Sequence, residues 1–137
     1  MSTDKITIHV SMKASLRKAW DYYTLPEHIT QWNFAHPSWC CPSASNDLRV
    51  GGKYTARMEA RDGSMGFTLE GIYGMVEEPI KLRYEFAGRS VLVTFDELND
   101  QTTVTVTFDP ETENPIDMQR QGWQAILDNY KNYTESH

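Results

Sequence analysis

The chain has 137 residues, 13 of them basic and 19 acidic, for a formal net charge of −6. That length suits one domain over residues 1–137 with a continuous core, and the scattered Lys and Arg form no basic stripe able to neutralise a phosphate backbone, so nucleic acid is not an expected partner. No segment approaches the roughly 18 apolar residues a bilayer-spanning helix needs, and Met1-Ser2-Thr3-Asp4-Lys5 carries no signal-peptide pattern; no membrane insertion and a cytosolic location are therefore expected.

Ile6, Ile8, Val10 and Met12 alternate with Thr7, His9, Ser11 and Lys13, the period of a strand with one buried face. Ser15 is placed to cap a short helix whose apolar stripe is Leu16, Ala19, Trp20 and Tyr23. Thr24 and Glu27 have the spacing of a capping box, with Pro26 in the first turn where no backbone donor is needed, so a second short helix is expected to run to about Trp32.

His36-Pro37, Cys41-Pro42 and a Ser/Asn/Asp cluster make residues 33–50 read as one long loop carrying Phe34 and Trp39. Cys40 and Cys41 fall inside it. A disulfide between neighbours is strained, and a reducing compartment keeps both as thiols. His36 lies close by, yet His36, Cys40 and Cys41 match no usual zinc spacing and lack a fourth ligand, so no metal is expected.

From Gly51-Gly52 onward the turn signals Asp62-Gly63, Glu78-Pro79, Ala87-Gly88, Asn99-Asp100 and Asp109-Pro110 delimit five strands joined as a meander. Alternation assigns an inner face to Tyr54, Ala56 and Met58; Phe67, Leu69, Gly71 and Tyr73; Leu82, Tyr84 and Phe86; Val91, Val93 and Phe95; Val104, Val106 and Phe108. Gly71 and Gly74 allow a bend or bulge in the longest strand. Asn114-Pro115 then opens a long helix to about Thr134, with Ile116, Trp123, Ile126, Leu127, Tyr130 and Tyr133 at helical spacing. Such a helix is expected to lie across the concave face of the sheet.

The order β-α-α-β-β-β-β-β-α is that of the α+β helix-grip fold, a curved antiparallel sheet around a long C-terminal helix. Ala14 to Trp20, Pro26-Glu27 with Trp32, Asp47-Leu48-Arg49-Val50-Gly51-Gly52-Lys53-Tyr54, Gly71-Ile72-Tyr73, and Asn114-Pro115 with Gly122-Trp123-Gln124-Ala125-Ile126-Leu127 together resemble the heat-shock protein 90 ATPase activator-homologue family. That family sits in the START-like (SRPBCC, birch-pollen-allergen-like) superfamily. The resemblance spans essentially the whole chain, and it implies a deep cavity between helix and sheet of the kind the superfamily uses for lipids, sterols, polyketides and other apolar small molecules. It also implies a second reading, a chaperone partner. In the eukaryotic co-chaperone the corresponding domain follows another that carries much of the chaperone contact, whereas here the first strand starts just after Lys5.

The expected function is thus binding of a small apolar or amphipathic ligand, lipid-like or polyketide-like. The candidate ligand-binding residues are Tyr54, Met58, Phe67, Leu69, Tyr73, Tyr84 and Trp123, together with Phe34 and Trp39, which with His36 either form an entrance or tuck into the core edge. Gly122 beside Trp123 either leaves a gap at the grip surface or allows close helix packing. Met12 and Met75 either adapt to a guest or fill core gaps.

No catalytic residue is assigned. The inner-face positions include no strong acid or base, His9 is expected outward, His28 is expected on a polar helix surface, and no nucleophile elbow, paired carboxylates, phosphate loop or zinc helix is present. The chain is expected to be a non-enzyme without cofactor, a monomer or weak dimer. A cyclase- or hydrolase-like enzyme using Tyr54, Tyr73 or Tyr84 is the third reading.

Overall fold

The computed structural model describes residues 5–137. The leader-free reading of Met1 to Asp4 therefore concerns residues outside those described. Ten elements follow in chain order: β1 (Ile6–Met12), α1 (Leu16–Thr24), α2 (Pro26–Trp32), β2 (Trp39–Asn46), β3 (Lys53–Ala60), β4 (Gly66–Glu77), β5 (Lys81–Phe86), β6 (Arg89–Leu98), β7 (Gln101–Phe108) and α3 (Ile116–Ser136). The strands form one antiparallel seven-stranded sheet in the order β1-β7-β6-β5-β4-β3-β2. This is the helix-grip α+β architecture, with one strand more than the sequence suggests.

The additional strand corrects the reading of residues 33–50 as a loop. Trp39–Asn46 pairs with β3, and its register shifts between Cys40 and Ser43. Pro42 lies inside that irregularity, on an edge strand, where a missing N–H removes no essential ladder bond. Polar residues and a proline can therefore form a strand here because half its backbone faces solvent. Cys41 is buried against Ala56 and Met58, and burial pushes its thiol up to about 11.

β1 shows the expected alternation, with Ile6, Ile8, Val10 and Met12 buried. Ser15 caps α1 by accepting from the Lys18 backbone N–H at 3.1 Å. The capping box predicted for α2 does not form. Leu25 occupies the cap position without a side-chain bond, and the Thr24 hydroxyl instead donates to the Trp20 carbonyl at 2.8 Å. Thr24 is the last residue of α1, so its hydroxyl serves the helix it ends rather than the one it precedes. Pro26 does sit in the first turn of α2.

Because β1 and β2 occupy opposite edges of the sheet, the α1–α2 segment has to cross from one edge to the other, and it does so on the side that α3 covers. α3 is anchored along its length. Gln124 Nε2 donates to the His9 carbonyl at 3.2 Å, Asn129 Nδ2 to the Phe34 carbonyl at 2.6 Å, and the Tyr130 hydroxyl to the Ala19 carbonyl at 2.5 Å. At its start, Gln119 is buried and holds the preceding loop by accepting from Glu111 N at 2.9 Å and donating to the Asn114 carbonyl at 2.8 Å. Ile116, read as the first residue of the apolar stripe, is instead 39% exposed. The inner end of the core is an aromatic chain in which Trp20 meets Phe95 edge-on at 5.2 Å and Tyr23 meets Tyr130 edge-on at 5.1 Å.

Curvature comes from β4. Its register with β5 shifts between Tyr73 and Met75, placing Gly74 in the irregularity. At Gly71 a Cβ would lie 2.7 Å from Tyr84 Cδ2, so the absent side chain is what lets the Tyr84 ring lie flat against β4. Gly122 differs. A Cβ there would meet nothing within 4 Å, so close helix packing does not explain it. Among the described residues, no helix is long and apolar enough to cross a membrane.

Candidate functional site

Between α3, the α1–α2 segment and the concave face of the sheet lies a cavity of about 250 Å³. Its walls come from β1 (Ile8), α1 (Tyr23), α2 (Ile29, Trp32), β3 (Tyr54, Met58), β4 (Phe67, Leu69, Tyr73), β5 (Leu82, Tyr84, Phe86), β7 (Val106) and α3 (Trp123, Ile126, Leu127). Nearly all contribute hydrocarbon or aromatic surface. An open groove along the outside shares Phe67, Leu69, Phe86 and Arg89 with the cavity, so these residues form its mouth. Phe67 is 51% exposed there, which is unusual for a residue whose ring also lines an interior.

Seven predicted site residues, Tyr54, Met58, Phe67, Leu69, Tyr73, Tyr84 and Trp123, are brought together on this lining. Phe34 and Trp39 are not. Phe34 packs with the Cys41 cluster and under the Arg61 guanidinium at 5.8 Å, while Trp39 stands 6.1 Å behind Phe67. Both therefore form a layer outside the mouth, and the β2 pairing that the sequence hid is what draws Trp39 into the sheet. Met12 is a core residue, 1% exposed, and neither it nor Met75 and Gly122 lines the cavity.

Sequence reasoning omitted Tyr23, Trp32, Asn33 and Arg89 from the site. Two signals for them were available. Tyr23 ends the apolar stripe of α1, and Arg89 shares the parity of Val91, Val93 and Phe95 on β6, which marks it as inward-facing.

The polar chemistry of the cavity is phenolic. Tyr54 accepts from Asn33 Nδ2 at 3.2 Å, which leaves its own O–H free to donate. Among the described residues, the hydroxyls of Tyr23, Tyr73 and Tyr84 make no hydrogen bond. The Asn46 amide lies near Tyr73, but its Oδ1 finds no partner, and its Nδ2 donates to the Thr24 carbonyl at 2.7 Å. Tyr54 and Tyr84 meet edge-on at 5.4 Å, and Tyr73 meets Tyr84 edge-on at 6.0 Å, so these hydroxyls belong to one cluster. Tyr23 and Tyr54 are only half-buried by area although dense protein surrounds both, because part of each ring faces the cavity.

Burial holds the phenols of Tyr23, Tyr54, Tyr84 and Tyr130 well above the ordinary range and pushes Tyr73 up to about 12. Each group thus stays a neutral donor at ordinary pH. The same shifts predict a steep alkaline limit. Below pH 10 folded and unfolded chains both keep these protons, and above it only the unfolded chain ionises, so stability falls until the folded groups also titrate. Tyr73 alone, shifted from 10.0 to about 12, withdraws on the order of 2 kcal/mol by pH 12. Tyr22 and Tyr133 are only partly buried and lie outside the cavity, so the test concerns the other five, whose tyrosinate absorbance should rise together with the collapse of circular dichroism in one transition above pH 10. Ionisation of more than two of the seven tyrosines near pH 10 with the fold intact would contradict the buried phenols.

Outside the cavity, His28 is less simple than the polar surface residue expected. It stacks on Tyr22 at 3.9 Å and its Nδ1 lies 2.7 Å from the Tyr133 hydroxyl, joining α2 to α3. His36 Nδ1 lies 2.8 Å from Ser38 Oγ. Among the described residues, no group of three or more His, Cys, Asp or Glu is arranged to hold a metal ion.

The family model described as activator of Hsp90 ATPase homolog 1-like protein matches residues 13–135. An AHSA1-like protein from Aeromonas hydrophila is 38% identical, with a TM-score of 0.91 over 96% of this chain and 92% of that one. A protein from Cytophaga hutchinsonii is 43% identical, with a TM-score of 0.83 over 96% and 92% of the two chains. A protein from Chromobacterium violaceum shares the fold at 20% identity, with a TM-score of 0.85 over 97% and 99%. Comparison with curated proteins found no match. The shared fold is START-like and compatible with ligand binding. The match over nearly the whole chain, together with the helix-grip architecture and its walled cavity, places this chain in the activator of Hsp90 ATPase homolog 1-like family.

Proposed function

We propose that the protein binds a small, compact amphipathic molecule in the cavity beneath α3, and that it does so without catalysing a reaction on it. The observation that carries this reading is the pairing of an apolar wall with unpartnered phenolic donors. These hydroxyls face the cavity without protein partners, and a guest carrying a carbonyl or other acceptor would give them partners in an apolar setting. Size narrows the guest. An apolar cavity of about 150 Å³ holds benzene, so one of about 250 Å³ corresponds to a body on the order of ten heavy atoms. That favours a bicyclic or short polyketide-like molecule over a sterol or a two-chain lipid.

The phenols also argue against an acid–base role, since a proton donor works best with a pKa near the operating pH and burial moves these away from it. Neutral bicyclic probes such as 2-naphthol test the proposal through the melting temperature. A probe at about 100 times its Kd stabilises the fold by about 2.7 kcal/mol, equivalent to a rise of roughly 8 °C. No rise with any probe that fits the volume would oppose the reading. A second reading follows the family description, in which the domain acts on a heat-shock protein 90 ATPase. Stimulation of that ATPase, surviving substitutions that fill the cavity, would favour it.

A further inference from the structure

We infer that the cavity selects a small aromatic carboxylate, with its ring body inside and its carboxylate on Arg89 at the mouth. The inference rests on the binding reading above and adds the charge of the guest.

Among the described residues, Arg89 is the only charged one on the cavity lining, and it also borders the outer groove. Its guanidinium lies over the Phe86 ring at 4.5 Å, a cation–π contact that holds the head group at the mouth without using its N–H donors. Of five such donors, the described residues engage one. Nη1 reaches the Asp109 carbonyl at 3.5 Å, at the outer limit of a hydrogen bond.

Hydrogen bonds chiefly hold the Asp109 and Glu111 carboxyls low and the charge of Arg89 helps, but neither carboxylate takes one of the Arg89 N–H donors. The Asp109 carboxylate is taken by Lys5 Nζ and by the Ser90 backbone N–H at 2.9 Å. The Glu111 carboxylate accepts from the backbone N–H groups of Asn114 at 2.7 Å and Glu113 at 3.1 Å. Glu70, on the groove side, pairs with Lys53 at 3.4 Å. Among the described residues Arg89 thus forms no ion pair, and an incoming anion breaks none.

A planar fork at the edge of an aromatic slot matches a carboxylate conjugated to a ring, because guanidinium and carboxylate can then share a plane through two parallel hydrogen bonds. The far end of such a guest meets the phenolic cluster, whose donors suit a carbonyl or ether oxygen. Cationic guests are disfavoured. The lining offers them no carboxylate, and Arg89 opposes them at the entrance.

Calorimetric titration of 2-naphthoate and its neutral isostere 2-naphthamide, each into the intact protein and into Arg89→Met and Arg89→Lys, tests this directly. The intact protein should bind 2-naphthoate roughly tenfold to a hundredfold more tightly than 2-naphthamide. Arg89→Met should remove that preference by weakening 2-naphthoate far more than 2-naphthamide, and Arg89→Lys should restore part of it. Equal 2-naphthoate affinity in the intact protein and Arg89→Met, with 2-naphthamide still bound, would overturn the role of Arg89 and leave the binding cavity standing. Failure of both probes to bind the intact protein would overturn the two together.

Discussion

Ile126→Trp is expected to lower the affinity for any cavity guest by at least about a hundredfold while leaving the fold as stable as before. Ile126 projects from α3 into the cavity and is only partly buried, since part of its surface faces open space. A larger ring at that position occupies the volume that a bicyclic body needs, and the cavity of about 250 Å³ has no spare compartment to offer instead. Filling apolar space commonly adds a fraction of a kcal/mol to about 2 kcal/mol, whereas overpacking a full core costs about 1–3 kcal/mol. A melting temperature that holds or rises by a few degrees therefore reports an open space, and one that falls sharply reports a packed one. Leu69→Phe fills the same space from β4 and serves as an independent check should the helix resist the first substitution. Fluorescence titration of a naphthyl probe reads the loss in both cases.

The largest stability effect is expected at Tyr130. Its ring is 0% exposed, meets Tyr23 at 5.1 Å and Trp32 at 5.1 Å, and its hydroxyl ties α3 to α1 through the Ala19 carbonyl. Truncation to alanine removes a large aromatic from a close-packed junction, which costs about 3–5 kcal/mol and should lower the melting temperature by about 10–20 °C. Tyr130→Phe keeps the ring and loses one hydrogen bond, a change of about 1 kcal/mol. The contrast between the two variants separates packing from bonding. Since Tyr23 and Trp32 also form cavity wall, Tyr130→Ala should weaken guest binding as well, by releasing rings that Tyr130 holds in place. A loss under about 1 kcal/mol for Tyr130→Ala would show that α3 is held mainly elsewhere.

Most of this architecture was legible in the order of apolar residues. β1, the five strands from Lys53 to Phe108 and α3 each bury one face, and a strict period of two or of about 3.6 declares that face. The same alternation that placed Tyr54, Tyr73 and Tyr84 inward also points Arg89 inward, but the inner face assigned to that strand began at Val91.

β2 was not legible, and the reason is physical. An edge strand has one unpaired side and tolerates Pro42 at its irregularity, so Cys40 to Asn46 needs neither β-branched residues nor clean alternation. Its partner β3 supplies the pairing that its own residues do not advertise. The Thr24–Glu27 spacing failed for a related reason. A hydroxyl at the junction of two helices has carbonyls behind it as well as N–H groups ahead, and Thr24 bonds backward. The empty volume itself has no one-dimensional signature, because it depends on how far α3 stands from the sheet.

The claim on which the account depends is that this space is open, dry and reachable. Methyl-resolved NMR during titration with 2-naphthol measures it most directly, since Ile8, Leu69, Leu82, Ile126 and Leu127 carry methyl groups on the cavity wall. The account predicts saturable shifts concentrated on those methyls and absent in Ile126→Trp. Shifts scattered over exposed residues such as Val50 and Leu98, unaltered by Ile126→Trp, would show a guest held on the outside and contradict it.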